Sequence, residues 1–188
     1  MYGEASIHVL HVDDEPDFAE LTAEFLKREN DDFTVTTATS ASEGVEYLSR
    51  GDFDCIVSDY DMPTQNGIDF LKSVRENSPD LPFVLFTGKG SEEIAGEAIS
   101  AGVTDYLQKK RGTDQYTVLA NRLRNAVQRH RAERERKRQR KAIETAQEGI
   151  SILNEDGEYI YVNQAYADIY EYEPEEVVGK GWDLTCPT

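Results

Sequence analysis

Long hydrophobic runs are missing from this chain. Its apolar stretches are strand-length, far short of the roughly 20 residues that a membrane-spanning helix needs. Cysteine is scarce: Cys55 and Cys186 are the only two, and they show neither metal-ligand nor disulfide-framework spacing. The opening Met1-Tyr2-Gly3-Glu4 has no basic region and no apolar segment behind it, so a secretory signal is not expected. Together these absences point to a soluble protein of a reducing cytoplasm, with no membrane partner.

Positive charge is also in short supply, 20 basic against 37 acidic residues for a net −17. The balance is uneven along the chain: −14 over residues 1–112, +6 over 113–147 and −9 over 148–188. Such asymmetry suggests segments of different character joined by a basic connector. The acidic surfaces argue against general nucleic-acid binding. A surface this acidic also fits a high-salt cytoplasm, where salt screens self-repulsion, and so a halophilic habitat.

What is present is an alternation of short apolar runs with longer amphipathic stretches over the first ~110 residues, the signal of parallel βα units. Strands are expected at Ile7–Val12, Phe33–Ala38, Asp54–Ser58, Pro82–Thr87 and Thr104–Gln108. Helices are expected at Asp17–Glu29, Ala41–Arg50, Gly67–Asn77 and Glu92–Ala101, with Ser40 and Ser91 as start signals and Gly102 as a stop. The expected fold class is therefore α/β, a doubly wound five-stranded parallel sheet. Residues 113–147 contain no Gly or Pro and read as one long helix, apolar at Leu119, Leu123 and Val127 and then strongly basic. Further on, "GISILN" and "EYIYVN" flank Glu155-Asp156-Gly157 and predict a hairpin. A short helix, "QAYADIYEY", and a loop, "EPEEVVGKGW", follow.

In a doubly wound sheet, chemistry gathers at the C-terminal strand ends. Here those ends read Asp13-Asp14-Glu15-Pro16, Asp59-Tyr60-Asp61-Met62-Pro63, Thr87-Gly88 and Gln108-Lys109. Central strands would bring Asp13, Asp14 and Asp59 to one small volume, where carboxylates repel unless a cation intervenes. A hard divalent ion that keeps some of its water, such as Mg²⁺, is the natural occupant. Thr87 adds a hydroxyl and Lys109 a mobile charge, a set that suits a phosphoryl group. Aspartate is itself a covalent nucleophile for phosphate.

The order acid pair, Asp-x-x-Met-Pro, Thr-Gly and Tyr-Leu-x-Lys, over roughly residues 6–128, resembles the receiver domain of bacterial and archaeal response regulators. The resemblance implies a flavodoxin-like receiver with Asp59 as phosphoacceptor. It implies that Asp13 and Asp14 hold Mg²⁺ with Asp59 and the Asp61 carbonyl, that Thr87 bonds a phosphoryl oxygen, and that Lys109 pairs with the acidic site. Tyr106 takes the aromatic switch position, and a histidine kinase or histidine phosphotransfer protein is the implied partner. The family usually has Pro after Lys109; this chain has Lys110. Asp59-Tyr60-Asp61 also resembles the nucleophile motif of haloacid-dehalogenase-type phosphatases, but no later acidic metal motif follows. A phosphate-independent interaction module and a phosphate sink are further alternatives.

Residues 142–188 resemble the beginning of a PAS sensor domain, through the hairpin, the helix start at Asn163 and "Tyr-x-x-Glu-Glu-Val-Val-Gly-Lys". An incomplete α+β fragment of this kind cannot enclose the family's ligand pocket, so no organic cofactor is assigned. The expected domains are a receiver over 1–128, a basic helical linker over 129–147 and the PAS start over 148–188. The linker offers a possible homodimer seam at Leu119–Val127 and Ile143, although the run is broken. His130 lacks the neighbours of a kinase phosphoacceptor, and His8 and His11 read as packing or rim residues. No Gly-rich nucleotide-binding signature is present, so the chain is not expected to be a kinase.

Overall fold

A computed structural model describes residues 6–88 and 90–185; Cys186 and the Met1–Glu4 start used above lie outside the described residues. Five strands, β1 (Ile7–Val12), β2 (Phe33–Ala38), β3 (Cys55–Ser58), β4 (Phe83–Thr87) and β5 (Asp105–Gln108), form one sheet. All pairings are parallel, in the order β2-β1-β3-β4-β5. Between them run α1 (Pro16–Glu29), α2 (Ala41–Arg50), α3 (Gly67–Asn77) and α4 (Glu92–Ser100). The chain moves from β1 to β2 on one side and then returns to place β3 on the other. The strand order therefore reverses between β1 and β3, and the crevice of the sheet opens there.

Alternation along the buried strands sends successive side chains to opposite faces. Val9, Val57, Val84 and Phe86 pack with Leu26 of α1, and Leu10, Ile56, Phe83 and Leu85 pack with Ile68, Phe70 and Leu71 of α3. Helix starts follow the local chemistry. Ser40 accepts from Glu43 N, Asn66 from Ile68 N and Asp69 N, and Ser91 from Ile94 N. Gly102, at φ +82°, turns the chain after α4.

Helix α5 (Asp114–Glu144) is 31 residues long. Leu119, Leu123 and Val127 are fully buried against the first face of the sheet, together with Tyr116. Of the apolar positions counted toward a dimer seam, Leu119, Leu123 and Val127 are thus core residues and Ile143 is exposed, beyond the basic run. Arg131 closes this region: its guanidinium reaches Asp54 Oδ1 at 2.8 Å and the Ser6 carbonyl at 2.7 Å.

The chain divides into two compact units, 1–131 and 132–188. In the second, β6 (Ser151–Leu153) and β7 (Tyr159–Val162) form the expected antiparallel hairpin, with Gly157 at φ +77° in its turn. Helix α6 (Gln164–Ile169) follows. The stretch read as a loop holds a one-turn helix, α7 (Pro174–Val177), and ends in a 3₁₀ turn, Trp182–Leu184. Proline at the first turn and Glu176 Oε2 accepting from Glu173 N explain why α7 forms despite its length.

Asn163 is the keystone of this unit. Its Oδ1 accepts from Ile150 N at 2.8 Å and Tyr166 N at 3.0 Å. Its Nδ2 donates to the carbonyls of Ile143 and Glu148, both at 3.0 Å. The side chain is fully buried and every one of its hydrogen-bonding positions is used.

Candidate functional site: an acidic crevice closed by one lysine

Three strand ends build the site. The backbone ladder continues past β1 and β3, with Asp13 N donating to Ala38 O and Asp59 N to Val12 O, so both aspartates are fixed at the crevice. Asp13 is fully buried and Asp59 nearly so. After Asp59 a loop over residues 60–66 leads into α3. The loop is pinned by Gly67 N donating to Tyr60 O at 2.9 Å and by the Asn66 cap. A Cβ at Gly67 would lie 2.8 Å from Leu85 Cδ1 and closer still to the Asp59 carbonyl, so only glycine allows this approach.

Lys109 joins the two carboxylates. Its Nζ lies 2.7 Å from Asp13 Oδ2 and 3.0 Å from Asp59 Oδ1. The second contact is at ion-pair distance without hydrogen-bond alignment, which leaves buried Asp59 Oδ1 with no hydrogen-bond donor. Asp59 Oδ2 accepts from Asp61 N at 2.8 Å, and Asp13 Oδ1 from Glu15 N at 3.1 Å. Burial pushes the Asp13 carboxyl above its ordinary value against the counter-charge of Lys109. Burial also opposes the Lys109 charge, but the two carboxylates outweigh it and hold the ammonium above its ordinary value. The Lys109 Nζ also stands 4.1 Å from the ring centroid of Phe18.

Lys109 reaches the site without a proline after it. Its N–H donates to Thr87 O at 2.8 Å, and no described peptide bond is cis. Lys110 instead uses its own N–H, which donates to Gln115 Oε1 at 2.8 Å. Gln115 Nε2 donates in turn to Gly112 O at 2.9 Å.

The remaining expected residues fall around this centre. Thr87 is fully buried at the end of β4, beside β5, and Tyr106 is half-buried against the α3–α4 face of the core. Asp14 is half-buried at the rim, and the Asp61 side chain is exposed. Among the described residues, no three His, Cys, Asp or Glu side chains form a group that could by themselves hold a metal ion. The structure therefore brings together Asp13, Asp59 and Lys109, with Asp14 and Asp61 adjacent in sequence. Two buried carboxylates, one with an oxygen lacking a donor, suit an ion that takes few protein oxygens and keeps much of its water. That is the habit of Mg²⁺.

His11, read from the sequence as a packing or rim residue, is sealed in the core. Neither ring nitrogen has a hydrogen-bond partner, Nε2 is 3.9 Å from Asp13 Oδ2, and burial pushes the imidazole down to about 4. Phe18 and Gln115 were not singled out by sequence reasoning. Phe18 looks like any apolar residue of an amphipathic helix, and Gln115 carries no motif.

A five-stranded parallel sheet in this order, with a lysine-bridged acid pair at its switch point, defines a doubly wound α/β domain with an acidic crevice, and comparison with known proteins makes the class specific. The model of the response regulator receiver domain matches residues 9–121, and that of the PAS fold matches residues 137–181. The chain belongs to the response regulator receiver family, with a PAS fold following the receiver. It is similar to the response regulator SaeR of Staphylococcus aureus (strain USA300), 36% identical over 102 residues, which cover 54% of this chain and 43% of that protein. The match thus spans less than half the length of this relative. Among solved structures it resembles a receiver domain protein from Clostridium thermocellum, 25% identical with a TM-score of 0.60, covering 67% of this chain and 98% of that one. The chemotaxis protein CheY4 of Vibrio cholerae is similar too, 28% identical with a TM-score of 0.58 over 63% of this chain and 99% of that one. No helix among the described residues is long and apolar enough to cross a membrane.

Proposed function

We propose that the chain is a phosphorelay signalling protein whose receiver accepts a phosphoryl group on Asp59. The observation that carries the reading is the Lys109 ammonium set between Asp13 and Asp59 at the sheet's switch point, 2.7 and 3.0 Å from their oxygens. An Asp59 carboxylate oxygen attacks the phosphorus of a phosphohistidine on a histidine kinase or phosphotransfer partner. The new O–P bond forms as the N–P bond breaks, and the imidazole nitrogen leaves with the electron pair. Asp13, Asp14, Asp59 and the Asp61 carbonyl would hold Mg²⁺, which would supply charge neutralisation for the transfer.

The chain's own residues orient the product. Lys109 offers an N–H to the transferred group, and the Thr87 hydroxyl, at the end of β4, bonds one of its oxygens. Movement of Thr87 draws Tyr106 with it, which shifts the population between two packings of the β4–β5 surface. The domains proposed are a receiver over 1–128, a basic helical linker over 129–147 and the start of a PAS domain over 148–188. The protein acts in the cytoplasm, and its only covalent chemistry is on itself. A homodimer built on α5 would use the charged stretch beyond Arg131, since Leu119, Leu123 and Val127 are buried in the receiver core.

Intact-mass analysis after incubation with Mg²⁺ and acetyl phosphate tests the reading. A single phosphate adduct on the unmutated chain, absent from Asp59→Asn, is the expected result. No adduct and no BeF₃⁻ complex would favour a phosphate-independent module. Release of phosphate over many turnovers would favour the phosphatase reading.

A further inference from the structure

Among the described residues the Lys109 ammonium has three partners, and two of them are anions. The third is the ring of Phe18, in the first turn of α1, with its centroid 4.1 Å from Nζ. That separation lies well inside the distance at which an aromatic face attracts a cation. The ring is itself held in place. It packs against the buried cluster of the first sheet face and sits 6.0 Å from the Phe86 ring, tilted by 37°. The start of α1 is fixed by the Asp13 carboxylate, which accepts from Glu15 N, and by Ala19 N donating to Glu15 O. Phe18 therefore reports to the same strand end as Asp13.

We propose that Phe18 is a positioning residue for Lys109: its ring face holds the ammonium over the crevice between Asp13 and Asp59. The proposal rests on Asp59 being the phosphoacceptor. Phosphorylation converts the Asp59 carboxylate into an acyl phosphate and moves its negative charge outward, so that partner of Lys109 changes. The ring does not change. An ammonium held partly by a neutral aromatic face can exchange one anionic partner for another without leaving the site. An ordinary apolar residue at this position would fill the space but supply no attraction to the charge.

The test separates the ring's electrostatic face from its bulk. Phe18→Leu keeps apolar volume and loses the aromatic face, whereas Phe18→Tyr and Phe18→Trp keep a face. Adduct formation with acetyl phosphate and Mg²⁺ is expected to slow about threefold to tenfold in Phe18→Leu and to recover in Phe18→Tyr or Phe18→Trp. In metal-free protein, the ε-methylene protons of Lys109 are expected upfield in the NMR spectrum under the ring current, and downfield of that position in Phe18→Leu. Should Phe18→Leu fail to fold, replacement of Phe18 by phenylalanines carrying successively more ring fluorines keeps the shape while weakening the face, and the rate should fall in step. An unshifted Lys109 ε-methylene, or a rate indifferent to fluorination, would overturn the proposal and leave Phe18 as core packing. Absence of any adduct on the unmutated chain would instead overturn the Asp59 reading, and the metal-free shift would still decide whether Phe18 holds Lys109.

Discussion

The backbone N–H of Lys110 donates to the Oε1 of Gln115 at 2.8 Å, and the same side-chain amide donates back to Gly112 O at 2.9 Å. The side chain thereby brackets the loop that follows Lys109, with Gly112 at φ +95° inside it. A proline at position 110 would have no N–H to give. The bracket is a local solution for this sequence to holding the lysine strand end in place. Gln115→Ala should leave the Lys110 amide without its acceptor, at a cost of about 1 kcal/mol. Hydrogen exchange at the Lys110 amide, followed by NMR, should accelerate severalfold in the variant, and unchanged exchange would show that the bracket does not order the loop.

Asn163 serves four backbone groups at once, in a setting with no access to water. Asn163→Ala strips the acceptor from Ile150 N and a donor from two carbonyls, while Tyr166 N keeps the Asn163 backbone carbonyl. Each buried group left unpaired costs about 1–3 kcal/mol. The hairpin unit is expected to unfold at much lower urea than in the unmutated chain. Trp182, the only tryptophan, lies in this unit, so its fluorescence follows that transition separately from the sheet unit. Coincident urea midpoints for variant and unmutated chain would remove Asn163 from this role.

The start of α2 gives a pH signature. Glu43 Oε2 accepts from Thr39 N at 2.7 Å and Thr39 Oγ1 at 3.0 Å, and these bonds hold its carboxyl below the usual carboxylate range. A depressed folded value means that the unfolded chain binds the proton first as the solution is acidified. The contribution of Glu43 is therefore complete above its ordinary value of 4.5 and is lost as the pH falls through the folded value. Glu43→Gln should be less stable than the parent near neutrality, and the difference in urea midpoint should shrink as the pH is lowered past that point. A difference independent of pH would point to geometry instead of charge.

Much of this was legible in the sequence, for identifiable reasons. Strands β1 and β2 and helices α2 and α3 have the expected limits, because short apolar runs alternate with amphipathic stretches and Ser40 marks the start of α2 directly. Asp13, Asp59, Thr87 and Lys109 stood out because each ends a strand. Other features were hidden. A period-four apolar run is the same signal whether it faces a core or a partner helix, so Leu119, Leu123 and Val127 suggested a seam that the sheet in fact covers. Helix α7 was too short for periodicity to show, although Pro174 and Glu176 carried its start signal. Contacts across the fold, such as Phe18 with Lys109 or Arg131 with Asp54, depend on topology and leave no local mark.

Strand β3 is only four residues long, and it is gripped at both ends. Asp54, just before it, is held by Arg131 near the far end of the receiver part of α5, and Asp59, just after it, by Lys109 from the loop that leads into α5. In mechanical terms the strand is a short beam clamped at each end, with no slack along its length. A change of charge at Asp59 acts on one of those clamps directly. Across the ladder the strand is flanked by β1 on one side and by β4 on the other, and β4 leads to β5, the edge strand that carries Tyr106.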